Sequence, residues 1–420
     1  MIRNLVATSL AALLSLALPA AAPAQSDGAA QPARARDLGV PFHGEPGRLN
    51  AITDVAGVEV GHVTLISGTG PLRVGEGPVR TGVTAVLPRG KASTAPVFAA
   101  WSTLNAAGEM TGTVWLDERG LLDGPVMITN THSVGVVRDA TIGWMVDKGW
   151  DARWFVPLVA ETYDGVLNDI NGFHVKAEHA RQALDAAKSG PVAEGAVGGG
   201  TGMICNRFKG GIGTASRLVR QSGKSYTIGV LVQCNYGDRA ALRIAGAPIG
   251  AQLADTYLPC KADPAIQVTN PVMPAGLPAC RPAAAPGGRA GDGSIIIIVA
   301  TDAPLLPHQL KRLSKRAGLG LGRLGSVASA GSGDIFVAFS TANANVPAVQ
   351  AGTTRVELFS NEELTPLFEA TVDATEEAVV NAMVAARDMT GADGFKVFGL
   401  PHDAVRAAMR KWKAAGAASR

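Results

Sequence analysis

Gly291-Asp292-Gly293-Ser294-Ile295-Ile296-Ile297-Ile298-Val299-Ala300 is the stretch that decides how this chain is read. A Gly/Ala/Pro-rich run ends at Gly293, and an unbroken apolar run starts just after Ser294. A short continuous apolar run behind turn residues predicts a strand buried on both faces. Ser294 therefore holds one hydroxyl where pliable backbone meets rigid backbone. A cut in front of it would leave an alcohol and a free α-amine on the same residue.

On the N-terminal side, residues 246 to 293 hold Pro248, Pro259, Pro264, Pro271, Pro274, Pro278, Pro282 and Pro286, with Gly287-Gly288 near the end. No period is visible there, which predicts a flexible surface linker that delivers the chain to Ser294. On the C-terminal side, Gly331-Ser332-Gly333-Asp334-Ile335-Phe336-Val337-Ala338-Phe339 predicts a strand from Asp334 onward. Residues two apart on a strand share a face, so Ser332 and Asp334 are expected to project together as a hydroxyl–carboxylate pair that relays protons and holds the Ser294 amine.

Two further blocks carry polar groups beside buried strands. Tyr226 to Gln233 reads as a buried strand with Asn235 just past it, where a side-chain amide suits an oxyanion donor. Val159 to Ile170 places Glu161 and Tyr163 after an apolar segment. Glu161 is expected to accept a substrate ammonium, and Tyr163 to line the pocket or hydrogen-bond the oxyanion. Each signal has a plainer reading when taken alone. Ser294, Ser332-Gly333-Asp334 and Asn235 are ordinary turn formers, and Glu161 is an ordinary solvated carboxylate. Their joint occurrence carries the weight.

The wider pattern is mixed. Val58–Val63, Gly82–Leu87 and Val126–Thr129 read as strands. Lys176–Ser189, Pro304–Ala317, Thr375–Asp388 and Asp403–Lys413 read as helices. Stacked sheets covered by helices, an α+β layered sandwich, is the expected class. With 51 glycines in 420 residues the layers should pack closely, and the length suits one large layered unit or two domains. A net charge of +3 without a basic tract gives nucleic acid no electrostatic footprint.

Met1-Ile2-Arg3-Asn4, an apolar core from Leu5 to about Leu18 and the small-residue site Ala22-Pro23-Ala24 read as a secretory signal peptide over residues 1–24. The protein is expected to be periplasmic or secreted, with residues 25–48 an unstructured leader and no membrane span further on. Four cysteines, Cys205, Cys234, Cys260 and Cys280, show no zinc-ligand spacing. Cys260 and Cys280 flank the Pro-rich loop in an oxidising compartment, where a disulfide is expected and two unlinked thiols are the alternative. Neither a metal nor a cofactor is expected.

Taken together, the motifs resemble the DmpA/BapA family of N-terminal-nucleophile aminopeptidases. The matching segments are Asn50–His62, Glu161–Ile170, Gly198–Met203, Phe208–Arg217, Gln233–Arg239, Asp292–Ser294 and Ser332–Phe336, in family order over nearly all of the mature chain. The resemblance implies an inactive precursor that cuts itself at Gly293-Ser294 into an α chain (25–293) and a β chain (294–420). It also implies a four-layer αββα sandwich, assembly as a tetramer of αβ units, and short peptides, amides or esters as substrates, N-terminal β-amino acids among them. On the matching positions, Ser294 is the nucleophile, Ser332 and Asp334 assist proton transfer, Asn235 contributes to the oxyanion hole and Glu161 holds the substrate amine. Tyr163 falls where pocket residues vary. The segment between Asn235 and Ser294, with Cys260 and Cys280, is longer than in shorter relatives and is expected near the site entrance. Two other readings are an N-terminal-nucleophile acyltransferase, disfavoured by a serine in place of threonine and by the export signal, and a secreted non-catalytic binding protein.

Overall fold

Ser294–Thr301 forms a strand, β12, buried along its whole length. The structure, a computed structural model, describes residues 33–150, 154–273, 277–280, 293–345 and 352–418; the expected signal peptide lies outside them. On one side β12 pairs in parallel with β13 (Gly333–Ser340), and on the other antiparallel with β10 (Lys224–Asn235). The sheet continues through β9 (Gly211–Gln221) beyond β10, and through β3 (Val97–Ala106) and β4 (Leu121–Leu122) beyond β13. A second sheet has the order β1 (Glu59–Ser67), β2 (Val79–Leu87), β5 (Val126–Asn130), β6 (Leu158–Thr162).

Side-chain alternation along β12 explains the layering. Ile295, Ile297 and Val299 pack with the buried faces of α5 (Pro307–Arg323) and α6 (Thr365–Ala385). Ile296, Ile298 and Ala300 point the other way, onto Ile128 and Ala160 of the second sheet. That sheet's outer face, with Val83 and Met127, is covered by α2 (Val134–Asp147) and α3 (Ala177–Ala186). The result is an α+β sandwich of four layers, αββα. Burying each isoleucine contributes about 1.5–3 kcal/mol, so β12 anchors both cores at once.

Several elements differ from the sequence reading for local reasons. β3 and α2 were not anticipated, because both are apolar on more than one face and show no clean period. α5 runs past Ala317 through Gly318, Gly320 and Gly322. There Gly320 is a packing residue, since a Cβ would lie 2.7 Å from Thr375 Cβ on α6. From Ala33 the expected leader is pinned down: Arg36 joins Glu377 of α6 at 2.8 Å and Arg34 joins Glu194 at 2.8 Å.

The described parts of the stretch read as a flexible linker, residues 246–273 and 277–280, are docked. They form a helical turn, α4 (Ile249–Gln252), and a short strand, β11 (Cys260–Lys261). β11 pairs with β15 (Phe395–Val397), which also pairs with β14 (Met389–Thr390). Cys260 and Cys280 are bridged, with the sulfurs 1.98 Å apart. The Thr269 and Asn270 backbone N–H groups donate to Asp393 at 2.8 and 2.7 Å, and Asn270 Nδ2 donates to Gly165 O at 2.8 Å. Proline content reports missing periodicity, whereas these bonds come from residues far along the chain. Residues 281–292 lie outside the described residues. A short helix, α1 (Thr113–Arg119), a small hairpin, β7 (Ile204–Cys205) and β8 (Phe208–Lys209), and a last helix, α7 (His402–Ala418), complete the α-helices and strands of the described residues. Among the described residues no helix is long and apolar enough to cross a membrane.

Candidate active site

Ser294 begins β12 with Asn235 opposite it on β10 and Gly333 opposite it on β13. The Gly333 N–H donates to Gly293 O at 3.0 Å and also to Ser294 Oγ at 3.3 Å. One backbone donor thus holds a hydroxyl beside the carbonyl of the preceding peptide. Both glycines are dictated by space. A Cβ on Gly293 would lie 2.1 Å from Asn235 O, and one on Gly333 would lie 2.6 Å from Ala107 O and 3.0 Å from Ser294 Oγ.

Asn235, like Leu231 two pairs earlier on β10, faces the space between the sheets. Its Oδ1 accepts the Ile204 N–H at 2.7 Å, and its Nδ2 donates to Tyr163 O at 2.9 Å. These partners settle which end of the amide is oxygen, and they leave a second Nδ2 hydrogen for a ligand. Tyr163 therefore meets Asn235 through its carbonyl. Its phenol folds back over Gly165, where a Cβ would lie 2.3 Å from Tyr163 Oη. Burial, with Asp164 beside it, raises that phenol's pKa.

Ser332 and Asp334 do project together: Ser332 Oγ donates to Asp334 Oδ1 at 2.7 Å. Asp334 shares its face of β13 with Phe336 and Ala338, the side covered by α5 and α6, whereas Ser294 shares its face of β12 with Ile296 and Ile298. The pair thus lies beside the backbone of β12's first residues, across the sheet from Ser294 Oγ. Asp334 Oδ2 is buried and has no hydrogen-bond partner among the described residues. Burial raises the Asp334 pKa, and the Ser332 hydrogen bond opposes it. Tyr236, buried nearby, has its phenol pushed upward by burial and by Asp334.

Glu161 is buried near the end of β6. Its Oε1 accepts the Glu109 N–H at 3.0 Å, and its Oε2 accepts the Thr131 hydroxyl. Burial raises its pKa against these two bonds. Gly108 lies between it and the nucleophile: a Cβ there would be 3.0 Å from Glu161 Oε1 and 3.5 Å from Gly333 Cα. The strip that does this, Ala107 to Thr111, bonds to Ser332 O at 3.3 Å and to Val159 O at 3.0 Å, spanning the sheets. Sequence reasoning missed this strip, as well as Thr131, Ile204 and Tyr236. The only local signal is a run of small residues, Ala106-Ala107-Gly108, after a strand that was itself unread. It also missed a second disulfide, Cys205–Cys234, with sulfurs 1.89 Å apart. Among the described residues no cluster of His, Cys, Asp or Glu is arranged to hold a metal.

The geometry gives a hydroxyl held by a backbone donor, a side-chain amide paired opposite it on the next strand, a hydroxyl–carboxyl pair beside its backbone and a buried acid on the facing sheet. The sequence and the fold are similar to those of known proteins. The chain matches peptidase family S58 over residues 50–397. It is 62% identical over 387 residues to the β-peptidyl aminopeptidase BapA of Sphingosinicella microcystinivorans, covering 92% of this chain and 94% of that protein. The BapA of Sphingosinicella xenopeptidilytica is 48% identical, covering 90% and 91%. Among solved structures, a β-aminopeptidase of a Burkholderia species superposes with a TM-score of 0.77 at 45% identity, covering 90% of this chain and 99% of that one. The L-aminopeptidase D-Ala-esterase/amidase of Ochrobactrum anthropi, described as a prototype for the serine aminopeptidases with a variant Ntn-hydrolase fold, gives 0.79 at 47% identity, with the same coverages of 90% and 99%. Fold, motifs and likeness agree, and the chain belongs to peptidase family S58 as a hydrolytic aminopeptidase.

Proposed function

We propose that the protein is exported as a precursor, cuts its own Gly293–Ser294 bond, and then uses Ser294 to remove N-terminal residues from short peptides, amides or esters. The observation that carries this reading is the Gly333 N–H, which reaches Gly293 O at 3.0 Å and Ser294 Oγ at 3.3 Å. Attack by Oγ on the Gly293 carbonyl carbon places negative charge on the oxygen that this N–H already holds. The C–N bond then breaks, the hydroxyl proton passes to the Ser294 nitrogen, and water hydrolyses the ester. The products are a Gly293 carboxylate and a free α-amine on Ser294.

That amine has an ordinary pKa of about 7.7–8, so it is a usable base near neutral pH and assists its own hydroxyl. General-base help of this kind is worth roughly 10²- to 10⁴-fold. Asp334 Oδ2, buried without a partner among the described residues, supports the assignment of Ser332 and Asp334 to the new amine, because buried acceptors are almost always bonded. Departure of Gly293 frees the Gly333 N–H for a substrate carbonyl, and the spare Nδ2 hydrogen of Asn235 completes an oxyanion hole. Glu161 lies across the gap with no ion pair among the described residues, which suits a substrate ammonium. The β-peptidyl aminopeptidases that the chain resembles support N-terminal β-amino acids within the substrate range. Export rests on the Met1–Ala24 pattern.

Ser294→Ala tests the self-cleavage step. A denaturing gel is expected to show one uncut, inactive chain where the wild type shows two; a variant that still splits at this point contradicts the mechanism.

A further inference from the structure

The β7–β8 hairpin has no part in the chemistry above, yet its fixed points all bear on Asn235. Its first residue, Ile204, gives the N–H that Asn235 Oδ1 accepts at 2.7 Å. Its second, Cys205, is bridged to Cys234, the residue before Asn235, and both cysteines are fully buried. Its turn residue Asn206 donates its N–H to Tyr236 O, the residue after Asn235, at 2.7 Å. The base of the hairpin is closed by Lys209, whose Nζ donates to Met203 O at 2.7 Å and Gly210 O at 2.9 Å. Its tip is held by Arg239, which donates from Nε to Asn206 O at 3.1 Å and stacks on Phe208 at 3.3 Å.

The hairpin forms a two-stranded sheet of its own, separate from the sheet that carries Asn235. No strand ladder therefore sets the distance from Ile204 N–H to Asn235 Oδ1. The bridge, which joins the residue after Ile204 to the residue before Asn235, does so together with the Asn206 N–H bond to Tyr236 O. The terminal torsion of an Asn side chain is broad, so an amide without its Ile204 partner is held only through the Nδ2 bond to Tyr163 O at 2.9 Å, and its oxygen is no longer fixed away from a developing oxyanion. We propose that the hairpin, clasped by Cys205–Cys234, is the positioning element that aims the Asn235 amide. Cys205 and Cys234 touch no substrate atom and act only through that amide. The proposal rests on the reading of Asn235 as oxyanion donor.

A double-mutant cycle on the processed, active-site-titrated enzyme tests it. Asn235→Ala is expected to lower kcat about 10²-fold or more. Cys205→Ala with Cys234→Ala is expected to lower kcat by roughly tenfold at unchanged KM, since a misaimed donor is lost in the transition state rather than in substrate binding. In the triple variant the loss should equal that of Asn235→Ala alone, because residues acting through one group are not additive. A cysteine pair variant with full kcat, or one that loses only thermal stability, overturns the proposal. So does a triple variant in which the two losses multiply. An Asn235→Ala enzyme with undiminished kcat overturns instead the oxyanion reading beneath it. Should the alanine pair not accumulate in folded form, Cys205→Ala with Cys234→Val, which refills the vacated volume, enters the same cycle with the same expected outcomes.

Discussion

At Ser294 three backbone segments meet within hydrogen-bonding distance, and the residue types there follow from how little room that leaves. A methyl at position 293 would sit 2.1 Å from Asn235 O, so Gly293→Ala must push the scissile peptide away from the Gly333 N–H. The expected outcome is a folded chain whose self-cleavage slows by about 10²-fold, the cost of one oxyanion donor, measured as uncut chain on a timed denaturing gel. On the proposed reading, Asp334→Asn removes the buried carboxyl assigned to the new amine while keeping a partner for Ser332. Expected in the processed enzyme is a kcat lower by roughly 10²-fold at similar KM, read from steady-state kinetics. The period of two made the Ser332–Asp334 pairing legible in the sequence. That the pair lies across the sheet from the Ser294 hydroxyl was not, because it depends on the parallel register of Gly333 with Ser294, which neither strand encodes alone. The clasp at Asn235 was hidden likewise, since Cys205 and Cys234 are 29 residues apart with no spacing signature.

Among the elements, those with one clear period or an unbroken apolar run were readable: β10, β12, β13 and α3 lie where alternation, continuity or helical spacing put them. Elements buried on several faces, β3 and α2, gave no contrast to read. The segment from Gly246 to Cys280 failed for another reason. Its order comes from Asp393, Gly165 and Arg239, residues that no local window contains. The Cys260–Cys280 bridge closes a separation of 20 residues, and in chain-entropy terms such a loop is worth about 3 kcal/mol. Cys260→Ala with Cys280→Ala should lower the unfolding free energy of the uncut Ser294→Ala chain by about that amount in urea titrations.

For the molecule as a whole, the α+β class and the layered sandwich were legible because both sheets and both helical layers contribute at least one strongly patterned element. The strap across its back was not. Glu377 of α6, fully buried, accepts from Arg36, Arg217 and Asn50, tying the N-terminal residues and β9 to the helix layer. Burial alone would raise its pKa, but Arg36, Arg217 and Asn50 bring it below the ordinary value. A carboxylate so depressed gives stability that is present above its unfolded pKa of about 4.5 and lost as pH falls through its folded value. Glu377→Gln is expected to cost about 3–5 kcal/mol at pH 7 by leaving buried guanidinium charge uncompensated. The difference from wild type should shrink as pH falls below about 4.5, which unfolding curves at several pH values would show.

The central claim is that backbone scission creates the catalytic group, and the most direct measurement follows both quantities in one sample. Freshly made precursor is incubated, and the fraction of chain beginning Ser-Ile-Ile-Ile is quantified beside aminopeptidase activity at each time. The account predicts that activity starts near zero and rises in proportion to that fraction; full activity in uncut chain would contradict it.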